Sequence, residues 1–354
     1  MLVSVAVRLG ADVSDVETIP GSSVLPDDVL RSLGVMNHQM LEAAVAEAPP
    51  QYVWDGLIQE QSVNLVVGNS GLGKTPLLVG LGLAVASGTS FLQHAVRQGP
   101  VLYCDGEMGR AEFLQLERSL STHLGLSAPP ANMLTFSPNW STSVSDVRQQ
   151  LAKQIAAICP VLVIVDPVRA FFLAVEGKAA DSEALIQWQR KLAKAHGCAW
   201  VNLHHRRKPN TNALEAPSLV TDPRGWFTES AGSYALVNHS DLRLGVDDGA
   251  GEADIILGGF VRGQGPLAPI RLAREHDDGG APVGYRVLSG IGLLSADQQA
   301  AFTALSSPFT FTQAQAALGT KSGSKTTAFI AACIAAALIS AEGEGKKKKY
   351  NKVM

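Results

Sequence analysis

The sequence predicts an α/β protein with a mainly parallel, helix-flanked sheet, followed by a small C-terminal domain of three helices and a β-hairpin. Between residues 53 and 287, short apolar runs alternate with helical segments, as expected for parallel strands joined by crossover helices. From residue 295 the pattern changes to three short helical segments and a glycine- and lysine-rich hairpin. The predicted domains are therefore an N-terminal helical arm at 1–49, a core at 50–290 and a C-terminal domain at 295–354.

The individual elements follow from their hydrophobic patterns. Buried parallel strands are short apolar runs, whereas the intervening helices are longer and partly polar. The predicted strands are 63–67, 101–104, 161–165, 199–203, 242–246 and 255–261, with a final pair near Ile270 and Tyr285. The predicted helices are 27–46 in the arm, 74–87, 110–125, 144–158 and 181–196 in the core, and 296–305, 312–318 and 324–339 in the C-terminal domain.

Composition and charge narrow the class of protein. The 354 residues are 46% hydrophobic and 17% charged, which is typical of an ordered globular protein. Four scattered cysteines, with no cluster of metal ligands, predict reduced thiols in the cytoplasm and no zinc site. The longest apolar stretches, 76–86 and 328–339, are too short to cross a bilayer, so no membrane partner is expected. From residue 320 onward seven lysines face two acids, although the whole chain has a net charge of −3; this asymmetry indicates an anionic partner for the C-terminal end.

Residues 68–75 match the phosphate-binding pattern G-x-x-x-x-G-K-[ST] at every fixed position. An apolar strand precedes the motif and a helix follows it, so backbone N–H groups and a helix N-terminus can surround phosphates. Lys74 is expected to reach the β- and γ-phosphates and the Thr75 hydroxyl to hold Mg²⁺, which predicts ATP and Mg²⁺ as ligands. The predicted ATP-binding residues are Gly68, Asn69, Ser70, Gly71, Leu72, Gly73, Lys74, Thr75 and Pro76.

Two other predicted strands are followed by carboxylates. Asp166 ends the apolar run 161–165, as expected for a Walker B aspartate that holds the metal and its water shell. The residue after it is a proline, so the catalytic base must come from another strand. Asp105 and Glu107 follow the strand at 101–104, and either could orient or deprotonate the attacking water; we favour Glu107.

The strand at 199–203 is followed by His204 and His205, and then by Arg206, Arg207 and Lys208. A polar residue at this position can contact the γ-phosphate and transmit its loss to the following loop. The three cations would suit the backbone phosphates of single-stranded DNA, although an ordinary solvated loop is the alternative.

In this order, the phosphate loop, Glu107, Asp166 and His204-His205-x-x-Lys208 resemble the RecA-like ATPases of the RepA type, the hexameric replicative helicases of plasmids and related mobile elements. The resemblance covers the chain from about residue 50 to 287 and implies a RecA-like P-loop NTPase core. It further implies that Lys74 and Thr75 bind phosphate and Mg²⁺ and that Asp166 binds the metal. Glu107 would be the catalytic base and His205 the γ-phosphate sensor.

The resemblance also implies a homo-oligomer, a hexameric ring with ATP between subunits. Such a ring supplies a cation to each neighbouring active site. The family usually has Arg-Gly-Ser before the strand that carries this arginine finger, whereas Ala-Gly-Ser stands at 231–233 here. By position, Arg243 is the predicted finger, and Arg262 matches a later basic position that could also reach the neighbour's phosphates.

Three helices followed by a hairpin is the order of a winged helix. Its third helix would read a duplex groove, and the lysines of the hairpin would contact DNA phosphates. The alternative is that these lysines only increase solubility and that the domain contacts protein. The predicted phosphate-contacting lysines are Lys346, Lys347, Lys348 and Lys349.

Two functions remain open from the sequence. The first is an ATP-driven DNA motor, a ring-forming helicase or translocase. The second is an ATP-switched DNA-binding regulator, in which the core controls assembly without unwinding DNA. A small-molecule kinase is less well supported, because the sequence has no arginine-rich lid for a second phosphate acceptor.

Overall fold

The structure is a computed structural model that describes residues 25–138, 144–172, 179–206, 217–228, 234–249, 254–277, 282–288, 294–336, 338–343 and 348–352. Four predicted DNA-contacting residues, Arg207, Lys208, Lys346 and Lys347, lie outside these ranges. The chain forms two compact units, Met1–Pro50 and Gln51–Met354.

The strands and helices are numbered in chain order. The strands are β1 (Tyr52–Trp54), β2 (Ile58–Gln59), β3 (Val63–Gly68), β4 (Val101–Asp105), β5 (Met133–Phe136), β6 (Leu162–Asp166), β7 (Ala199–His205), β8 (Leu242–Asp248), β9 (Ile255–Val261), β10 (Ile270–His276), β11 (Pro282–Leu288), β12 (Phe309–Thr310), β13 (Ile339–Glu342) and β14 (Lys349–Lys352). The helices are α1 (Asp27–Ser32), α2 (His38–Glu47), α3 (Lys74–Ser87), α4 (Arg110–His123), α5 (Val144–Ile158), α6 (Val168–Phe171), α7 (Ala179–His196), α8 (Pro223–Thr228), α9 (Ala235–His239), α10 (Ala296–Ala304), α11 (Phe311–Ala317) and α12 (Gly323–Ala335).

The N-terminal unit contains two helices where the sequence predicted one at 27–46. α1 ends at Ser32, and Gly34 adopts a left-handed conformation with φ of 69°, which breaks a right-handed helix. Asn37 then starts α2, because its side chain accepts a hydrogen bond from the Met40 amide at 2.9 Å. The prediction of one continuous helix was therefore wrong.

The core is a nine-stranded sheet in the order β11-β10-β9-β8-β3-β7-β6-β4-β5. The six strands from β8 to β5 are parallel, whereas β9, β10 and β11 join through antiparallel pairs. This arrangement confirms the predicted mainly parallel α/β core. The sequence analysis missed β5, a four-residue edge strand, because so short an apolar run gives a weak signal.

Helices cover both faces of the parallel strands. The side chains of β3 alternate between two hydrophobic clusters: Leu65 and Val67 belong to one, and Val66 to the other, as the twofold repeat of a strand requires. The helix α3 packs in the cluster that contains Val66, and every residue from Leu77 to Ala86 is buried. Each large apolar side chain buried in this way stabilises the fold by about 1.5–3 kcal/mol. This packing holds the start of α3 against the carboxyl end of β3.

The antiparallel end of the sheet bends back over α3 and α4. In a flat sheet, β11 would lie about 19 Å from β3, because neighbouring strands are separated by about 4.8 Å. However, the Tyr285 hydroxyl on β11 is 2.7 Å from the carbonyl oxygen of Gly73, immediately before α3. β11 also packs along α4. The edge strand therefore reaches the loop that follows β3.

The C-terminal elements have a hydrophobic cluster of their own. Phe302, Phe309, Phe329 and Tyr350 are buried in it, between α10–α12 and a three-stranded sheet in the order β12-β14-β13. The predicted third helix was too long: α12 ends at Ala335, and Ile339 begins β13 instead. Ile339 pairs with Lys352 in the hairpin and buries its side chain in the cluster, which a continued helix would not allow.

Candidate nucleotide site

The loop between β3 and α3 depends on its glycines. Gly71 and Gly73 both have φ of 82°, a conformation that residues with a Cβ rarely adopt. A Cβ on Gly68 would lie 2.5 Å from the Val246 carbonyl oxygen, and one on Gly73 would lie 2.3 Å from the Tyr285 hydroxyl. Among the residues that the structure describes, no side chain caps the start of α3, so its first-turn N–H groups suit an anionic ligand.

Lys74 lies at the start of α3 and is only 5% exposed. Its ammonium donates a hydrogen bond to the Asn69 carbonyl at 2.6 Å. Burial lowers the pKa of Lys74, and the negative charges of Asp166 and Glu107 act in the opposite direction. The structure therefore brings this lysine near both predicted carboxylates.

Asp166 ends β6, beside Asp105 of β4 in the register of the two strands. It is 3% exposed, and the Tyr103 hydroxyl donates a hydrogen bond to its Oδ2 at 2.6 Å. Burial raises the pKa of Asp166, while hydrogen bonds from Tyr103 and Thr75 lower it. The Thr75 hydroxyl and the Asp166 carboxylate are thus in contact.

This pair of oxygen donors fits Mg²⁺. Mg²⁺ usually keeps several waters and takes only one or two protein ligands together with substrate phosphates. The described residues contain no group of three or more His, Cys, Asp or Glu side chains that could hold a metal by themselves. Thr75 and Asp166 would therefore hold Mg²⁺ jointly with the phosphates of a nucleotide.

The two carboxylates at the end of β4, Asp105 and Glu107, have different environments. Asp105 is buried, and its Oδ1 accepts hydrogen bonds from the amides of Glu107 and Met108 at 3.2 and 3.0 Å. This side chain fixes the turn. The Glu107 side chain is 57% exposed, and its Oε1 lies 3.6 Å from His205 Nε2. Of the two, Glu107 is the carboxylate that can meet a water molecule.

The two histidines at the end of β7 also differ. His204 is buried, whereas His205 is half-buried and pairs with Gly68 in the register of β7 and β3. His205 therefore lies next to the start of the phosphate loop as well as to Glu107. The structure brings together five predicted site residues at one edge of the sheet: Lys74, Thr75, Glu107, Asp166 and His205.

Sequence reasoning missed two tyrosines at this edge. Tyr103 lies two residues before Asp105, so its place in a strand that ends in carboxylates could have suggested a role. Burial, together with the charge of Asp166, raises the pKa of Tyr103 well above its ordinary value, so the phenol stays a hydrogen-bond donor. Tyr285 gave no comparable signal, since it contacts the loop from 212 positions away.

Arg243 does not lie with these residues. It is 8% exposed, and its guanidinium donates hydrogen bonds to the carbonyls of Val237 and Asn238. It also packs 4.8 Å from the centre of the Phe260 ring. Because Arg243 is buried and two of its nitrogens donate to carbonyls of its own chain, this arrangement does not support it as an arginine finger.

Arg262 is more accessible, with 51% of its side chain exposed. It donates a hydrogen bond to the Asn238 carbonyl at 3.1 Å and lies 3.7 Å from Asp241. Its guanidinium is therefore more accessible from solvent than that of Arg243.

The predicted DNA-contacting residues within the described ranges are Arg206, Lys348 and Lys349. The Arg206 amide donates to the Gly68 carbonyl at 3.2 Å, and its guanidinium lies 4.5 Å from the centre of the Trp226 ring. The backbone of Arg206 therefore contacts the start of the phosphate loop. Lys348 and Lys349 are exposed at the start of β14.

Comparison with known proteins gives a family match and distant similarities to solved structures. Residues 31–211 match the family described as an AAA domain (AAA_25). No curated protein matches the chain. In the described part of the chain, no helix combines the length and apolar character that crossing a membrane requires.

Two solved structures resemble the chain at low identity. A KaiC-like protein from Pyrococcus horikoshii OT3 is 12% identical, with a TM-score of 0.43 over 66% of this chain and 93% of that one. The RadB recombinase is 19% identical, with a TM-score of 0.42 over 60% of this chain and 87% of that one. Neither similarity is strong enough to carry a functional argument. The family match, in contrast, spans the phosphate loop, Glu107, Asp166 and His205, and the chain belongs to the AAA domain family as a P-loop ATPase with a mainly parallel α/β core.

Proposed function

We propose that this ATPase is a DNA motor, a ring-forming replicative helicase or translocase of the RepA type that hydrolyses ATP with Mg²⁺ at subunit interfaces. The observation that carries the proposal is the convergence of Lys74, Glu107, Asp166 and His205 at one edge of the sheet. A lysine, a buried metal carboxylate, an exposed carboxylate and a polar sensor are the groups that phosphoryl transfer to water requires.

Each residue has a definite task in this mechanism. The loop amides and Lys74 would bind the β- and γ-phosphates, and Thr75 and Asp166 would hold Mg²⁺. When bound, Mg²⁺ neutralises part of the charge on the phosphate oxygens. Glu107 would orient the attacking water and accept its proton. Its exposure suits this task, because the water must reach it from solvent.

His205 would couple hydrolysis to movement. It lies 3.6 Å from Glu107 and is followed directly by Arg206. A change in the γ-phosphate could therefore reach the basic loop at 206–208, which we propose contacts single-stranded DNA. Arg262 is our candidate for the cation supplied to a neighbouring subunit.

The C-terminal domain would contact duplex DNA as a winged helix. Its three helices and hairpin have the required order, and Lys348 and Lys349 are exposed on the hairpin. The same basic hairpin favours the alternative function, an ATP-switched regulator that binds duplex DNA without unwinding it. The helix α12 is rich in alanine and isoleucine, which offers few polar groups for reading a base sequence.

The rate of ATP hydrolysis with and without single-stranded DNA tests the motor. We expect DNA to stimulate hydrolysis, and we expect Glu107→Gln to reduce the rate about 10²- to 10⁴-fold, because the general base is lost. Glu183→Gln on the exposed face of α7 is the matched control and should keep the wild-type rate. A hydrolysis rate indifferent to DNA of every form would exclude the motor, and duplex binding without strand separation would favour the regulator.

Oligomeric state provides a second test of the proposed ring. Light scattering in the presence of Mg²⁺ and a non-hydrolysable ATP analogue should reveal a homo-oligomer, with a hexamer as the expected species. A persistent monomer under these conditions would contradict an active site shared between subunits.

A further inference from the structure

The carbonyl group of Gly73 is held by two hydrogen-bond donors. The Tyr285 hydroxyl donates at 2.7 Å, and the Leu77 amide donates at 3.0 Å as part of α3. A carbonyl oxygen has two lone pairs, so these two donors fix its direction. The first comes from β11, at the antiparallel end of the sheet, and no part of the mechanism above uses it.

The direction of this carbonyl determines the direction of the next amide. The peptide group is planar and trans, so the carbonyl of Gly73 and the N–H of Lys74 point to opposite sides. In a phosphate loop, the backbone N–H groups bind the phosphate oxygens. We propose that Tyr285 is a positioning residue for nucleotide binding: by holding the Gly73 carbonyl, it directs the Lys74 N–H toward the phosphate.

The tyrosine is itself held in place by close packing. A Cβ on the neighbouring Gly284 would lie 2.1 Å from the His123 ring of α4, so β11 contacts α4 where only glycine fits. His123 Nδ1 also lies 3.3 Å from Glu275 on β10. Together these contacts fix the β10–β11 hairpin against α4 and hold the Tyr285 hydroxyl at the loop.

Two further features suit this role. The contact requires glycine at 73, because a Cβ there would lie 2.3 Å from the Tyr285 hydroxyl. Burial raises the pKa of Tyr285 to about 12, with Arg274 acting in the opposite direction. The phenol therefore keeps its proton and donates to the carbonyl throughout the neutral pH range.

The inference rests on the nucleotide-binding part of the proposed function and is independent of DNA. Its test is Tyr285→Phe, which keeps the ring and removes only the donor. We measure the affinity for a fluorescent ADP by anisotropy in EDTA, without Mg²⁺, and the affinity for pyrophosphate by competition. Both should weaken about three- to tenfold, the effect of losing one hydrogen bond. Tyr350→Phe on β14 is the matched control and should change neither affinity.

The comparison of the two ligands separates positioning from other roles. Pyrophosphate has no base or sugar, so an equal loss for both ligands locates the effect at the phosphates. Unchanged affinity for both, or weaker binding of ADP with unchanged pyrophosphate affinity, would overturn the proposal. If the DNA-motor proposal were wrong, DNA would not stimulate hydrolysis. The effect of Tyr285→Phe on the affinity for ADP and pyrophosphate would remain.

Discussion

Charged side chains at the two ends of the parallel strands have different surroundings. At the carboxyl end, Lys74, Glu107 and His205 lie near one another, and Glu107 remains largely exposed. At the amino end, Arg190 and Arg243 are directed at carbonyl groups of their own chain. Charged residues near strand ends therefore do not by themselves indicate an active site.

The backbone explains this difference. The carboxyl ends of β3 and β4 lead into the N-termini of α3 and α4, where free N–H groups favour anions. The arginines at the amino end bind the last carbonyls of α9, those of Val237, Asn238 and His239. Cations stabilise helix C-termini by satisfying such carbonyls. The edge at the carboxyl ends of the strands is thus suited to phosphate. The edge at the amino ends is stabilised by arginines that contact carbonyls of the same chain.

The largest effect should come from the carboxyl edge. Lys74→Ala removes the buried ammonium beside Asp166 and Glu107, and we expect hydrolysis to fall at least about a hundredfold, since an electrostatic contact to the transferred phosphoryl group is lost. Lys191→Ala on the exposed face of α7 is the control for loss of a lysine. Phosphate release assays measure both variants, and a Lys74→Ala rate within threefold of wild type would contradict the assigned site.

A pair of arginine variants tests the amino edge. Arg262→Ala should reduce hydrolysis by the assembled protein about a hundredfold or more, because a trans cation is lost, with little change in melting temperature. Arg243→Ala should instead destabilise the fold by about 1–3 kcal/mol, because the buried Val237 carbonyl loses its charged donor. Denaturant unfolding and hydrolysis rates should be measured on both. A loss of hydrolysis in Arg243→Ala together with a loss of stability in Arg262→Ala would instead support Arg243 as the arginine finger.

The smallest effect concerns the stability of the carboxyl edge itself. Burial raises the pKa of Asp166 above its ordinary value, so between these two pKa values the folded state binds more protons than the unfolded state. Stability contributed by this group is therefore present at low pH and lost as the pH rises through the folded pKa. Asp166→Asn, which cannot ionise, should therefore raise the melting temperature at pH 7 in EDTA.

The pH dependence supplies the control for this prediction. The stability advantage of Asp166→Asn over the wild type should shrink as the pH is lowered and the wild-type aspartate takes up its proton. Thermal unfolding across this range measures the difference. An advantage that is absent at pH 7, or one that grows on acidification, would show that the buried carboxylate does not destabilise the fold.

Much of the core was predictable because its signals are local. The strands β3, β4, β6 and β7 are mostly apolar; β3 leads into the phosphate loop, β6 and β7 end in Asp166 and His205, and Glu107 follows β4 by two residues. Parallel strands place their carboxyl ends at one edge of a sheet, so Glu107, Asp166 and His205 could be expected to meet there. The strand β5 was missed, and the two short helices of the arm were predicted as one, because the hydrophobic patterns of these elements are short.

By itself, the sequence determined the phosphate loop, the main strands and helices of the core and the residues at the strand ends, because backbone conformation and burial follow from neighbouring residues. Only the tertiary structure decided the roles of Tyr103, Arg243 and Tyr285. Each of these depends on a partner in another element: Tyr103 on Asp166, Arg243 on the carbonyls of α9, and Tyr285 on Gly73. Hydrogen bonds of this kind form only when packing brings distant elements within about 3 Å, and no local pattern records that distance.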